Sequence, residues 1–276
     1  MQLDKLTSAD IKNMSYNELI GLVKETNRTP GGSKSVSYIM QMCGLRPGKN
    51  MLDIGTSTGV TALEMAQLSG CNVIGIDIND DSLNTATERA KELGISDITT
   101  FKKDDATNLS LPDRFFDVVF CGNVTSLVNN RQAALTEYKR VLKDSGFLAA
   151  IPMYYVKTPS DKLVSDVSAA IKVNIRPHDK QYWQDFFTQD MFEIFVQKDF
   201  KFDYISDDKV KKFCEDILQR EHLKSLSSEA FTTLKTQYMN YMLLFRDNLS
   251  HMGFTIFILK KHNPEIDPEL FTSREI

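Results

Sequence analysis

From residue 50 to about 155, short apolar runs alternate with longer segments that place an apolar residue at every third or fourth position. The apolar runs predict strands at 50–54, 72–77, 97–101, 116–121 and 146–153. The periodic segments predict helices at 60–69, 80–93 and 130–142. Strands and helices in alternation imply right-handed crossovers and a parallel sheet covered by helices on both faces. Ligands of such sheets sit beyond the carboxyl ends of the strands. Asp53, Asp77, Asp105 and Asn123 all fall at predicted strand ends, each on a different strand.

The flanks read differently. Residues 1–44 form a helical extension, in which Ser15 and Glu18 have capping-box spacing. Thr29-Pro30-Gly31-Gly32-Ser33 forces a loop. A second helix runs from about Ser35 to Cys43 and closes at Gly44. Residues 156–200 are mostly helical and rich in aromatics, among them Tyr182, Trp183, Phe186, Phe187, Phe192 and Phe195. A sixth strand is predicted at 200–205, two long helices across 207–249, and a seventh strand over Gly253–Leu259. Phe231, Leu234, Tyr238, Tyr241, Met242 and Phe245 recur at three or four residues and give one apolar helix face, suited to core packing, a subunit contact or a substrate roof.

The segment Met51-Leu52-Asp53-Ile54-Gly55-Thr56-Ser57-Thr58-Gly59 carries the chemistry. A buried strand runs into a small-residue turn and then a helix, so the turn backbone can approach a ligand closely. Asp77, ending the second strand, is placed to bind a ribose diol. The turn lacks the middle glycine of a dinucleotide fingerprint and the lysine of a phosphate loop. An acid at Asp53 repels a pyrophosphate and suits a locally cationic ligand.

Asp53-x-Gly55-x-x-x-Gly59, with Asp77 closing the next strand, resembles motifs one and two of the class I S-adenosylmethionine-dependent methyltransferases. The resemblance is firm over residues 35–155 and weaker at the final strand. It implies a Rossmann-like, seven-stranded, mostly parallel sheet with the last strand antiparallel, and S-adenosyl-L-methionine as cofactor. Gly55, Thr56, Ser57 and Gly59 then meet the methionine moiety, Asp77 the ribose and Ile78 the adenine face. Asp105-Ala106 matches the pair that meets the adenine edge better than Asp104 does. Asn123 ends the fourth strand facing cofactor or substrate. Tyr16 and Arg28 belong to a lid over the cofactor, with Arg28 a partner for its carboxylate. The domains expected are a lid at 1–44 and a methyltransferase domain at 45–276, with helical cap insertions at about 156–199 and 207–249.

Composition narrows the acceptor. Basic and acidic residues are interspersed at a net charge of −4, which gives nucleic acid no electrostatic support. An Asn-Pro-Pro-aromatic signature of base methylation is absent, since Gly122-Asn123-Val124-Thr125 stands in its place. No Cys-x-x-Cys pair supports a metal. A small-molecule acceptor is therefore the leading expectation, and a homodimer is compatible with the apolar cap. RNA or protein methylation, a cofactor-binding subunit with little catalysis, and a nicotinamide dehydrogenase are the rivals. The N-terminus has no apolar leader and no run reaches membrane-spanning length, so a cytoplasmic protein is expected. Methyl transfer needs a base only if the nucleophile must lose a proton. Tyr155, His178 and His251 are the candidates for contact with the acceptor.

Overall fold

The computed structural model describes residues 3–26, 28–189 and 192–261. In chain order the helices and strands are α1 (Ser8–Asn13), α2 (Tyr16–Leu22), α3 (Gly32–Met42), β1 (Asn50–Ile54), α4 (Val60–Ser69), β2 (Asn72–Asp77), α5 (Asp80–Glu92), β3 (Thr99–Lys103), β4 (Phe116–Cys121), α6 (Arg131–Val141), β5 (Leu142–Ala150), β6 (Met153–Tyr155), α7 (Asp161–Ile171), α8 (Lys180–Thr188), β7 (Phe192–Lys201), α9 (Asp207–Leu218), α10 (Ser228–Leu249) and β8 (Met252–Lys261). Among the described residues one sheet holds every strand in the order β3-β2-β1-β4-β5-β8-β6, with β7 also pairing with β8.

β5 and β6 are one strand in two pieces. Phe147 pairs with Lys260 and Met153 with Phe254, on a single register against β8. Pro152 lies at the break, where a residue without an N–H cannot donate to the ladder. The sheet is thus seven-stranded in substance. β1 to β5 run parallel, and β8 lies antiparallel between β5 and β7.

The two faces bury alternate residues of the same strands. Leu52, Ile54, Val119, Cys121, Leu148 and Phe257 pack beneath α6 and α8. Met51, Val118, Phe120, Ala149 and Ile258 pack beneath α3 and α4. Strands buried on both sides read as continuous apolar runs. A third core joins α1 and α2 to α9 and α10, around Leu19, Val23, Cys214, Leu234 and Tyr238. At the amino end of the sheet Asp117 is structural. Against the cost of its burial, the Asn50 N–H and the ammoniums of Lys143 and Lys49 hold its carboxyl down at about 2.

Three boundaries differ from the sequence reading. The third strand lies at Thr99–Lys103, not 97–101. The fifth begins at Leu142, because Lys143, Asp144 and Ser145 form a polar stretch that hides the strand. The sixth occupies Phe192–Lys201 rather than 200–205, so the segment 156–199 is two helices and most of a strand. A bulge between Ile194 and Val196 turns Phe195 outward and breaks the alternation that marks a strand. Among the described residues no helix is long and apolar enough to cross a membrane. Asn27 of the expected lid, His262 and the tail from residue 262 lie outside the described residues.

Candidate cofactor and active site

β1 leaves the sheet through a left-handed turn. Gly55, Ser57 and Gly59 have φ of +66°, +49° and +77° before α4 begins. Space as well as backbone requires the two glycines. A Cβ at Gly55 would stand 2.2 Å from the Val124 Cγ2, and one at Gly59 would stand 2.7 Å from the Ala86 Cβ. Ser57 adopts the left-handed conformation without a glycine, at a cost of about 1 kcal/mol or more. Its N–H donates to Asp77 Oδ2 at 2.9 Å, which fastens this turn to the end of β2. Asp77 Oδ1 accepts from the Asn79 N–H at 3.0 Å. Ile78, between them, is 72% exposed, an apolar side chain held out beside the turn.

Asp53 is buried beneath this turn. Desolvation pushes its carboxyl up to about 7; the negative charge of Asp77 adds to the rise, and the nearby Thr56 hydroxyl opposes it. The Thr56 hydroxyl still lacks a partner of good hydrogen-bond geometry, and so does that of Thr29. Both are buried, so each is a polar atom awaiting a ligand or a water. Beyond β3 the two neighbouring acids divide. Asp104 accepts from the Ser110 N–H and Oγ and pairs with Lys102 at 3.2 Å. Asp105 is exposed and uses one oxygen, Oδ1, to hold the Thr107 N–H and hydroxyl at 2.8 Å each. Ala106 follows it, half-buried against the core.

After α2, residues 24–26 and 28–31 form a strap across the strand ends. A Cβ at Gly122 would stand 2.5 Å from Thr29 Oγ1, and one at Gly31 would stand 3.0 Å from Phe254. Thr29 therefore covers the end of β4, and Gly31 lies against β8. Arg28 does not reach for a ligand; its Nε pairs with Glu64 on α4 at 3.2 Å. Tyr16 likewise belongs to the third core. Its ring lies 4.2 Å from that of Phe245 and 6.1 Å from that of Tyr241, and burial raises its phenol.

Asn123 has φ of +70°, and its Oδ1 accepts the Met153 N–H at 3.1 Å. Its side chain thereby ties the end of β4 to the start of β6. The Tyr155 hydroxyl donates to Asn248 Oδ1 at 2.7 Å, and the Tyr155 N–H donates to the His178 carbonyl at 2.9 Å. The His178 ring stacks on Tyr182 at 3.5 Å, and its Nε2 lies 3.2 Å from Arg131 Nη1. A guanidinium only donates, so Nε2 is the acceptor and the proton sits on Nδ1. Burial and the charges of Arg131 and Arg176 lower the His178 pKa, which favours this neutral form. His251 stands apart in role: its Nδ1 lies 2.9 Å from the Asp247 carbonyl and finishes α10. Tyr155, His178 and His251 come together at the end of β6, where the His251 carbonyl accepts the Val156 N–H at 2.9 Å while its ring serves the helix end.

Several residues that shape this region carry no sequence signal. Arg131 joins Ser126, His178 and Tyr182. Glu25, buried in the strap, takes the Tyr238 hydroxyl, and desolvation raises its carboxyl. Arg89 joins the strap to the glycine turn. Apart from the Ser126 carbonyl, their partners are distant in sequence, and no spacing rule reaches them.

The chain belongs to the methyltransferase domain family, whose profile matches residues 45–189, more than half of its length. A protein of Haemophilus influenzae without a described activity is 26% identical over 65% of this chain and 72% of its own. The sterol 24-C-methyltransferase of Eremothecium gossypii is 31% identical over 41% of this chain, which spans only 30% of that enzyme. Among solved structures, the MccD protein is 25% identical with a TM-score of 0.72, covering 86% of this chain and 100% of MccD. A geranyl diphosphate methyltransferase solved with S-adenosylmethionine is 16% identical with a TM-score of 0.58, over 84% and 86% of the two chains. The chain is thus a class I methyltransferase-family domain, with the fold of enzymes that take S-adenosylmethionine.

Proposed function

We propose that the protein transfers a methyl group from S-adenosylmethionine to an oxygen, nitrogen or carbon nucleophile of a small molecule, held between the strand ends, the strap and the α7–α10 cap. One observation carries the reading: the strap lies across the end of β4 and against β8, beside the strand ends to which we assign the cofactor and its acceptor. A covered site suits a small ligand, and it excludes water from the reaction. The relatives named for a sterol and for geranyl diphosphate act on small molecules and support the same reading.

The residues fit the cofactor. We assign Asp77 to the ribose, Asp105 and Ala106 to the adenine edge and the exposed Ile78 to the face of the ring. The Gly55–Gly59 turn offers close backbone approach, and the unpartnered Thr56 hydroxyl offers a hydrogen bond. Asp53, whose ionised form the cationic end would favour, would place negative charge beneath it. When bound, the cofactor supplies an activated methyl group for in-line displacement. The chain supplies orientation, and orientation can account for most of the rate. Asn123 fixes the β4 end against β6, and Tyr155 and His178 stand on the acceptor side. The lid at 1–44 and the cap helices at 156–199 and 207–249 are the parts we assign to enclosure. Tyr16 and Arg28 act there through the lid and not by touching the cofactor.

Incubation with tritium-labelled S-adenosylmethionine and a fractionated cell extract tests this. Label in the small-metabolite fraction is expected. Label confined to RNA or protein would replace the reading, and cofactor binding without any transfer would make the protein a binding subunit.

A further inference from the structure

Arg89 lies near the end of α5, outside every cofactor motif, yet its guanidinium spans two segments. Nη1 donates to the Thr58 carbonyl at 2.8 Å and to the Thr58 hydroxyl at 2.6 Å. Nη2 donates to the Lys24 carbonyl at 2.7 Å. Thr58 is the residue before Gly59 in the glycine turn, and Lys24 begins the strap. The Thr58 hydroxyl passes its own hydrogen to the Glu25 carbonyl at 3.1 Å. From the cap, Arg220 donates to the carbonyls of Val23 and Lys24. The Lys24 carbonyl therefore accepts from two guanidiniums.

Each segment that Arg89 joins contains a strained residue. Lys24 has φ of +52° and Ser57 has φ of +49°, in the region that favours glycine. Such conformations persist only where surrounding contacts over-determine them. Charge-assisted bonds from Arg89 and Arg220 supply those contacts. A structural arginine need only satisfy its own helix or one neighbouring loop. Arg89 instead fixes the cofactor turn and the strap to each other, so neither can move far while these bonds hold.

We infer that Arg89 is a positioning residue that couples closure of the strap to the shape of the cofactor turn, and so sets how long the cofactor stays bound. The inference rests on the reading that the Gly55–Gly59 turn holds the cofactor. Release requires the strap to lift, which breaks the Arg89–Lys24 and Thr58–Glu25 bonds. A cofactor that favours the closed turn must by linkage favour the closed strap.

The test uses the full chain and S-adenosylhomocysteine, comparing Arg89→Met and Arg89→Lys with wild type. Arg246→Met is the control: Arg246 clamps Ile205, Asp207 and Asp247 in the cap and touches neither the strap nor the turn. Two quantities are read: the dissociation rate of the ligand by stopped flow, and the rate of tryptic cleavage after Lys24 and Arg28 with and without ligand. Ligand is expected to protect the strap in wild type and in Arg246→Met. In Arg89→Met dissociation should be about tenfold faster or more, and the protection should be lost. Arg89→Lys should fall between, because one ammonium cannot span the three oxygens. Wild-type dissociation and protection in Arg89→Met, whatever its melting temperature, would overturn the coupling alone. Failure of the wild type to bind the ligand would overturn the cofactor reading and the coupling with it. If Arg89→Met does not fold, Thr58→Val removes the direct Thr58–Glu25 bond between turn and strap and one of the three Arg89 bonds, leaving those to the two carbonyls; a smaller, several-fold faster dissociation is expected, and an unchanged rate in both Thr58→Val and Arg89→Lys overturns the coupling.

Discussion

Replacing Gly55 by alanine strains the cofactor turn in two separable ways. A left-handed backbone at φ +66° costs an L-residue about 1–2 kcal/mol. The new methyl would also lie 2.2, 2.9 and 3.0 Å from Cγ2, Cγ1 and Cβ of Val124, and crowding of this kind costs about 1–3 kcal/mol. Gly55→Ala should therefore destabilise the chain by about 2–5 kcal/mol. The three nearest atoms all belong to the Val124 side chain, and Val124→Ala removes the two closest. Alone, Val124→Ala should cost about 1 kcal/mol, since the residue is half-buried. The double variant should be less destabilised than the sum of the two by about 1–3 kcal/mol, leaving the backbone term. Urea unfolding at 25 °C on all four proteins without cofactor measures this cycle. Costs that add to within about 0.5 kcal/mol would refute the idea that Val124 is what forbids a side chain at Gly55.

Other outcomes follow from the same geometry. The fold keeps Asp53 protonated up to about 7, while the unfolded chain releases that proton near the usual aspartate value of 3.8. The contribution of Asp53 to stability should be fullest below about pH 4, fall as the pH rises to about 7 and then level, by at most about 4 kcal/mol; the difference between wild type and Asp53→Asn in pH-dependent unfolding isolates it from the salt-bridged carboxylates, which act in the opposite direction. Affinity for the cationic cofactor should rise over the same interval, because binding favours ionised Asp53; calorimetry at pH 5.5 and 7.5 reads the difference. Asp104→Ala should lower stability by about 1–3 kcal/mol through the lost Ser110 and Lys102 contacts and leave ligand affinity little changed, whereas Asp105→Ala should do the reverse. Trp183 is fully buried with its Nε1–H on the Met153 carbonyl, so Trp183→Ala should cost about 3–5 kcal/mol in urea unfolding.

The central strands were legible for a physical reason. β1, β2 and β4 lie where the apolar runs place them, because strands buried on both faces tolerate little but apolar residues. The Ser15–Glu18 capping box forms as read, since both partners lie within one turn. β7 was hidden by its bulge, and the start of β5 by polar Lys143, Asp144 and Ser145. In the site, Gly55, Gly59 and Asp77 stand together because a strand, a turn and the next strand fix their separation. Arg28 was legible as a strap residue but not as the partner of Glu64. Arg89, Arg131 and Glu25 went unread, because each acts through carbonyls or hydroxyls that only the folded chain brings near.

The account stands most directly on the binding of S-adenosylhomocysteine. Titration calorimetry on the wild type should show one site of micromolar or tighter affinity, at least tenfold weakened in Asp77→Ala, which loses the carboxylate that also holds Ser57 and Asn79. A wild type that takes up NAD and ignores S-adenosylhomocysteine, or an Asp77→Ala variant that binds it unchanged, would contradict the assignment of the Gly55–Gly59 turn and the end of β2 as the cofactor site.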